Sequence, residues 1–130
     1  METWLGIDYG SKMQGTTAVA YEEKGMLQTA LSEKGKDADR WLFDRIDNIQ
    51  PHAVCIDAPL SLPGVYTNSE GYTDYFYRKC DSELGAMSPM FIGGLTARAM
   101  KFADQLHKKN IQVYEAYPGG LARKVLPRQS

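Results

Sequence analysis

The stretch that decides the fold is Trp4-Leu5-Gly6-Ile7-Asp8-Tyr9-Gly10-Ser11-Lys12-Met13-Gln14-Gly15-Thr16-Thr17. It begins as a short apolar strand that ends in a carboxylate, Asp8. A turn bracketed by Gly10 and Gly15 follows, and the β-branched residues after it begin the next strand. Because a charged carboxylate at the end of a buried strand is costly unless it is paired, Asp8 needs a partner.

Two later stretches repeat this pattern of an apolar run that is closed by an acid. Residues 53–57 end in Asp57, and Pro59 follows them. Residues 111–115 end in Glu115, and Pro118 follows them. Three strands that each finish in an acid are the main indication of function in this sequence.

The composition narrows the class of protein. A chain of 130 residues with 43% hydrophobic and 24% charged residues is typical of one soluble globular domain, here residues 1–130. A net charge of −1 argues against a non-specific DNA coat protein, but not against an enzyme whose metal ions supply the positive charge. Two cysteines and two histidines form neither a disulfide framework nor a zinc site. Without a signal peptide or a long apolar run, the sequence predicts a cytoplasmic protein with no membrane contact.

Periodicity and turn residues predict an α/β fold. The predicted elements are strands at 4–8, 16–21, 26–32, 53–57 and 111–115, a helix that Asp37 caps, a short helix at 81–87 and a helix at 95–109. Short connections make strands 1-2-3 an antiparallel meander, whereas strands that follow a helix should be parallel to a neighbour. The sequence therefore predicts a mixed five-stranded sheet, with strands 1-4-5 parallel and helices flanking it.

This topology would bring Asp8, Asp57 and Glu115 to one edge of the sheet, where open α/β sheets bind their ligands. Oxygen donors without Cys or His select Mg²⁺ or Mn²⁺, and two such ions about 4 Å apart are the standard device for hydrolysing phosphodiesters. The three acids are therefore predicted metal ligands and catalytic residues. Each acid taken singly is more often a turn former or a helix cap, so the prediction depends on their convergence.

Four residues are predicted to bind the substrate. Lys12 lies in the turn after Asp8, and Arg98 lies one turn into the helix that follows Gly93-Gly94, whose N-terminus could hold an anion. Tyr75 and Arg78 belong to a run of interleaved aromatic and basic residues, 72–79, which suits stacking on bases and contacting phosphates. The alternative is that these rings pack loop 59–79 onto the domain and that the glycines only permit close packing.

Five motifs together resemble a known family. They are Gly6-Ile7-Asp8-Tyr9-Gly10, Ile56-Asp57-Ala58-Pro59-Leu60-Ser61-Leu62-Pro63, Arg78-Lys79-Cys80-Asp81, Ser88-Pro89-Met90-Phe91-Ile92-Gly93-Gly94-Leu95-Thr96-Ala97-Arg98 and Glu115-Ala116-Tyr117-Pro118. Across nearly its whole length the chain resembles the predicted nucleases of RNase H-like fold, a domain family long labelled as of unknown function. The resemblance implies a central Asp8 strand with the Asp57 strand beside it. It also implies Asp8 and Asp57 as metal ligands, with Glu115 and Asp81 as candidates to complete the set.

The chain departs from this pattern at its end. Many RNase H-like nucleases carry a final acid on a C-terminal helix, whereas the fifteen residues after Glu115 contain no acid and include Arg123, Lys124 and Arg128. Either Asp81 substitutes for that acid, or the site uses fewer ligands, or the activity is lost. Either the domain is truncated at its C-terminus or it ends in a basic tail.

Three functions remain open on the sequence. The first is a nuclease that depends on Mg²⁺ or Mn²⁺ and cleaves DNA or RNA by a two-metal carboxylate mechanism. The second is a nucleotide-phosphate-binding relative of the actin and sugar-kinase superfamily, which would normally need two such domains. The third is a non-catalytic RNase H-fold module that binds nucleic acid or a protein through residues 66–79.

Overall fold

The computed structural model describes residues 3–67 and 70–116. In chain order the elements are β1 (Trp4–Asp8), β2 (Ala18–Glu23), β3 (Met26–Leu31), α1 (Ala38–Ile49), β4 (Ala53–Ile56), a 3₁₀ turn (Gly64–Thr67), α2 (Lys79–Leu84), a second 3₁₀ turn (Pro89–Ile92), α3 (Gly93–His107) and β5 (Gln112–Glu115). They form two compact units, one of residues 3–57 and 102–116 and one of residues 58–67 and 70–101. The predicted basic tail after Ala116 lies outside the described residues.

The first unit is built on a five-stranded sheet in the order β3-β2-β1-β4-β5. β1 pairs with β2, and β2 with β3, in antiparallel fashion, whereas β1–β4 and β4–β5 are parallel. The predicted mixed α/β sheet, with its antiparallel and parallel parts, is confirmed. β1 lies at the centre, between an antiparallel neighbour and a parallel one.

Side chains alternate between the two faces of this sheet, and most of the buried strand side chains belong to one face, called the closed face below. On the closed face, paired positions of adjacent strands carry side chains that are buried, namely Leu5, Ile7, Val19, Val54, Ile56 and Val113. The helical residues of the same unit that are buried are Ala38, Leu42, Ile46, Phe102, Ala103 and Leu106. These two sets form the hydrophobic core of the first unit.

Local chemistry sets the ends of α1. The Asp37 side chain accepts hydrogen bonds from the backbone N–H groups of Asp39 (2.9 Å) and Arg40 (3.3 Å), as predicted for an N-cap. The helix closes at Gln50, which adopts a left-handed conformation (φ 51°), and Pro51 prevents its continuation. α1 therefore leads directly into β4, which makes β4 parallel to β1.

β2 begins two residues later than predicted, at Ala18 rather than Thr16. The Thr17 side chain accepts a hydrogen bond from the Gly10 N–H (3.0 Å), and the Thr17 N–H donates to the Ser32 hydroxyl (3.1 Å). Thr17 therefore belongs to the loop that closes over the end of β1. No helix among the described residues is both long enough and apolar enough to cross a membrane.

We expect Asp37→Ala to lower the free energy of unfolding by about 1 kcal/mol at neutral pH, because it removes the N-cap of α1. Desolvation opposes ionisation of Asp37, but the Arg40 and Asp39 N–H groups and Lys12 hold its pKa below the ordinary value. A lowered carboxyl pKa contributes stability above the ordinary Asp pKa, and that contribution is lost as the pH falls through the lowered value. Urea unfolding at neutral and acidic pH measures both effects.

Asp44→Ala is the matched control, because it makes the same change at an exposed position within α1. If the two variants lose equal stability at neutral pH, the N-cap is not the source of the effect.

Candidate functional site

Asp8 and Asp57 lie side by side at one edge of the central sheet. Ile7 pairs with Ile56 in the parallel register of β1 and β4. The residues that follow them, Asp8 and Asp57, therefore lie at the same level and on the same face of the sheet. The Asp57 N–H continues the ladder by donating to the Ile7 carbonyl (3.3 Å). Both aspartates are exposed, and their carboxyl groups are close enough to share a hydrogen bond.

Tyr9 fixes the orientation of the Asp57 carboxylate. Its backbone N–H donates to Asp57 Oδ1 at 2.7 Å. Its hydroxyl donates to Asp39 Oδ1 at 2.5 Å, and its ring is only 6% exposed and stacks on Phe102 with a centroid distance of 6.1 Å. Tyr9, which directly follows Asp8, therefore holds the Asp57 carboxylate, and the packing of its ring in the core keeps Tyr9 itself in place.

The pair is electrostatically unfavourable without a cation or a proton. Partial desolvation raises the pKa of Asp57 above the ordinary value, and the neighbouring Asp8 raises it further by hydrogen bonding and charge repulsion. The hydrogen bond from the Tyr9 N–H opposes this shift. Two carboxylates that repel each other at an exposed edge are suited to binding a divalent cation, since such an ion removes the repulsion.

Glu115 does not share this position. The register of β4 and β5 pairs Glu115 with Ile56, one residue before the level of Asp57. Side chains alternate along a strand, so Glu115 belongs to the face of Ile56, opposite to that of Asp57. Within residues 3–67 and 70–116, no three His, Cys, Asp or Glu side chains are grouped so as to hold a metal ion. The sheet thus unites two of the three predicted acids.

Two loops meet beyond the same edge of the sheet, one after β1 (residues 9–17) and one after β3 (residues 32–37). Gln14 forms an isolated bridge with Lys34, and the Gly35 N–H donates to the Met13 carbonyl (2.8 Å). Gly15 has a φ of +72°, and a Cβ atom on it would lie 2.5 Å from the backbone nitrogen of Lys34. The interlocked loops are therefore held rigidly, and Gly15 is the residue that permits their close approach.

Two of the three lysines on these loops, Lys12 and Lys34, differ in their ion pairing. Lys12, a predicted substrate-binding residue, forms an exposed ion pair with Asp37 (3.6 Å). Lys34 forms no ion pair with any residue of the described chain. Sequence reasoning missed Lys34, because only the bridge to Gln14 brings it to the loop that follows Asp8. It missed Tyr9 for a similar reason, since a backbone N–H leaves no signal in the sequence.

Asp81 and Arg78 form a buried ion pair within the second unit. Asp81 is only 2% exposed. It accepts hydrogen bonds from the Arg78 N–H (3.0 Å), Nε (2.9 Å) and Nη2 (2.8 Å), and the first of these satisfies the backbone N–H at the N-cap of α2. Arg78 Nη1 also donates to the Ser61 hydroxyl (3.0 Å). A bidentate pair of this kind favours a structural role for both residues, because it occupies the carboxylate and the guanidinium together.

The other two predicted substrate-binding residues also lie in the second unit. Tyr75 is 57% exposed, so its ring is not buried under the loop that carries it. Arg98 lies in the second turn of α3 and is half-buried. α3 begins at Gly93, directly after the 3₁₀ turn, where the Thr96 hydroxyl donates to the Pro89 carbonyl (2.9 Å).

Neither a protein-family model nor a curated protein matches the chain.

We expect Asp8→Asn to lower the pKa of Asp57, because it removes the neighbouring negative charge and leaves the Tyr9 hydrogen bond in place. The raised pKa means that the folded state binds this proton more tightly than the unfolded state does. The Asp57 contribution to stability therefore falls as the pH rises from the ordinary Asp pKa to the raised value. Titration of the Asp57 carboxyl carbon by NMR measures the pKa directly.

Asp104→Asn removes an equal charge from an exposed position on α3 and should leave the Asp57 titration unchanged. An Asp57 titration that is identical in wild type and Asp8→Asn would show that the two carboxyl groups do not interact.

We expect Gly15→Ala to destabilise the protein more than Gly25→Ala. Both residues have positive φ, of 72° and 77°, so each alanine costs about 1–2 kcal/mol of backbone strain. Only at position 15 would the new Cβ also meet backbone, whereas nothing lies within 4 Å of a Cβ at position 25. Overpacking of this kind typically adds about 1–3 kcal/mol. Equal midpoints of urea unfolding for the two variants would contradict the interlock.

Proposed function

We propose that this protein is a nuclease that depends on Mg²⁺ or Mn²⁺ and hydrolyses phosphodiester bonds of DNA or RNA. The observation that carries the proposal is the pair of carboxylates, Asp8 and Asp57, at the carboxyl edge of two adjacent parallel strands. The order of the five strands, with the Asp8 strand at the centre, also resembles the RNase H-like sheet that the motifs suggest.

The chemistry of the pair fits such an ion. Its donors are oxygen atoms only, and Mg²⁺ is usually held by one or two carboxylates together with water and substrate phosphates. Asp8 and Asp57 would hold the ion, and the repulsion between them would be relieved when it binds. A bound ion of this type supplies an activated water and neutralises charge on the phosphate. Because Glu115 belongs to the opposite face, it would not be a ligand of the same ion.

The residues of the chain itself have three tasks in this proposal. Tyr9 holds the Asp57 carboxylate through its backbone N–H, so that the carboxylate is oriented before the ion and the substrate arrive. Lys34 and Lys12 supply positive charge on the two loops beyond the same edge, where a phosphate backbone would approach. The buried ring of Tyr9 and the Gly15 contact keep these parts in fixed positions.

The loop geometry favours this function over a nucleotide-phosphate grip. In a phosphate-binding loop, backbone N–H groups point at the ligand. Here the Gly10 N–H donates to Thr17 Oγ1, and Thr17 is fully buried. That N–H group is therefore used to close the loop.

We expect Asp8→Asn and Asp57→Asn each to lower Mn²⁺-dependent cleavage of DNA or RNA by at least about 100-fold. Substitution of a residue that only supports a metal ligand typically lowers metal affinity or activity by about 10- to 100-fold, and these two aspartates would be the ligands themselves. Glu115→Gln should lower cleavage by less than about 10-fold, because Glu115 belongs to the opposite face of the sheet. Gel assays with labelled single- and double-stranded substrates measure the rates.

Asp104→Asn serves as the charge-matched control on an exposed helix position. Binding of the ion is measured separately, as the Mn²⁺-dependent rise in melting temperature, which should be present in wild type and absent in both aspartate variants. Cleavage that persists in Asp8→Asn and Asp57→Asn would overturn the proposal.

A further inference from the structure

Six aromatic rings of the second unit stand exposed on its surface. Their exposed fractions run from 36% for Tyr77 to 60% for Phe91. The set, called the aromatic surface below, consists of Tyr66, Tyr72, Tyr75, Phe76, Tyr77 and Phe91. A large exposed apolar patch on a protein typically marks an interaction site or a ligand-binding site.

Five of the rings form two groups, Tyr66 with Tyr75 and Phe91 with Phe76 and Tyr77. Tyr66 meets Tyr75 edge to face with a centroid distance of 5.8 Å and an interplanar angle of 87°. Phe91 meets Tyr77 in the same way, at 5.8 Å and 82°, and is tilted by 44° against Phe76 at 6.4 Å. In an edge-to-face pair one ring keeps both of its faces free of the other, and flat faces are what a planar ligand stacks on.

Hydrogen bonds hold the backbone that presents these rings. Asp74 Oδ1 accepts from the N–H groups of Phe76 (2.8 Å) and Tyr77 (2.9 Å). The fully buried Ser88 hydroxyl donates to the Phe76 carbonyl and accepts from the Met90 N–H (3.0 Å). The aromatic surface is therefore organised in advance, which reduces the ordering cost of binding a ligand.

Glycine and charge complete the surface. A Cβ atom on Gly64 would lie 2.5 Å from Cγ of Tyr72, so the Tyr72 ring lies directly against the backbone there. Lys79, two residues after Tyr77, is exposed and forms no ion pair within the described chain. Of the acids nearest to Lys79 in sequence, Asp74 and Asp81 are engaged by backbone N–H groups and by Arg78, whereas Glu83 is exposed one helical turn further along α2.

Exposed rings together with a lysine that forms no ion pair are the combination that binds unpaired bases and a phosphate backbone. We propose that the aromatic surface binds a single-stranded nucleic acid by stacking on its bases. This inference rests on the proposed nuclease function. It identifies the substrate of that nuclease as a single strand or a strand with unpaired bases.

The test is fluorescence anisotropy with the full chain and labelled single-stranded DNA and RNA oligonucleotides of about 12–16 residues, beside duplexes of the same sequence. EDTA in the buffer suppresses cleavage, so that binding is measured alone. We expect the single strands to bind at least about tenfold more tightly than the duplexes. Stacking on one ring contributes about 1–3 kcal/mol per base, so Tyr75→Ala, Phe76→Ala and Phe91→Ala should each weaken binding by about 5- to 140-fold.

Conservative variants separate stacking from folding. Tyr75→Phe and Phe76→Tyr keep a ring and should retain wild-type affinity. Tyr114→Ala is the matched control, because Tyr114 is 49% exposed but belongs to the first unit, on β5. Melting temperatures show whether any alanine variant has lost its fold.

Three results would overturn the inference. They are equal affinity for single strands and duplexes, affinity that the alanine variants leave unchanged, and a change only in oligomeric state, which would make the aromatic surface a protein interface.

The two proposals can fail separately. If single strands bind through the rings but Mn²⁺ supports no cleavage, the aromatic surface stands and the nuclease does not. If cleavage occurs and the ring variants have no effect on binding, the nuclease proposal stands and the binding role of the aromatic surface does not.

Discussion

The parallel pairing of β1 with β4 is the constraint on which the candidate site depends. Once Ile7 is level with Ile56, the two following aspartates must be neighbours, whatever the rest of the chain does. That pairing is itself stabilised by the apolar side chains that share the closed face, Leu5 and Ile7 on one strand and Val54 and Ile56 on the other. The burial of apolar side chains on one face thus offsets the repulsion between the two aspartates on the opposite face.

The sheet could be predicted from the sequence because its signals are local. β1 occupies the predicted residues 4–8, and Asp37 caps α1 as its spacing indicates. Apolar runs, a capping residue and short connections each act over a few residues, and together they leave one reasonable strand order. Strand and helix boundaries moved by a few residues only, as for β2, where the buried Thr17 belongs to a loop instead.

The third acid shows where such prediction ends. Asp8, Asp57 and Glu115 all close an apolar run, but the run before Glu115 pairs with β4 in a register that places Val113 beside Val54. A register shift of one residue moves a side chain to the other face, and packing between strands distant in sequence decides it. Asp81 differs from Glu115, because its partner Arg78 lies only three residues before it, and what the sequence does not reveal is that this pair is buried. The register of β5, in contrast, is set by tertiary contacts that no local pattern encodes.

The position of the acid pair on the more exposed face has a physical consequence of its own. Ionised carboxylates that were fully buried together would be held neutral by desolvation, and they could not exchange a proton for a metal ion without large rearrangement. Asp8 and Asp57 instead lie at an exposed edge, where one oxygen of Asp57 is held by the Tyr9 backbone N–H, so the proposed exchange of a proton for a cation would need no such rearrangement. The fold thus keeps an unfavourable charge pair accessible and oriented, a combination more typical of a binding site than of a structural contact.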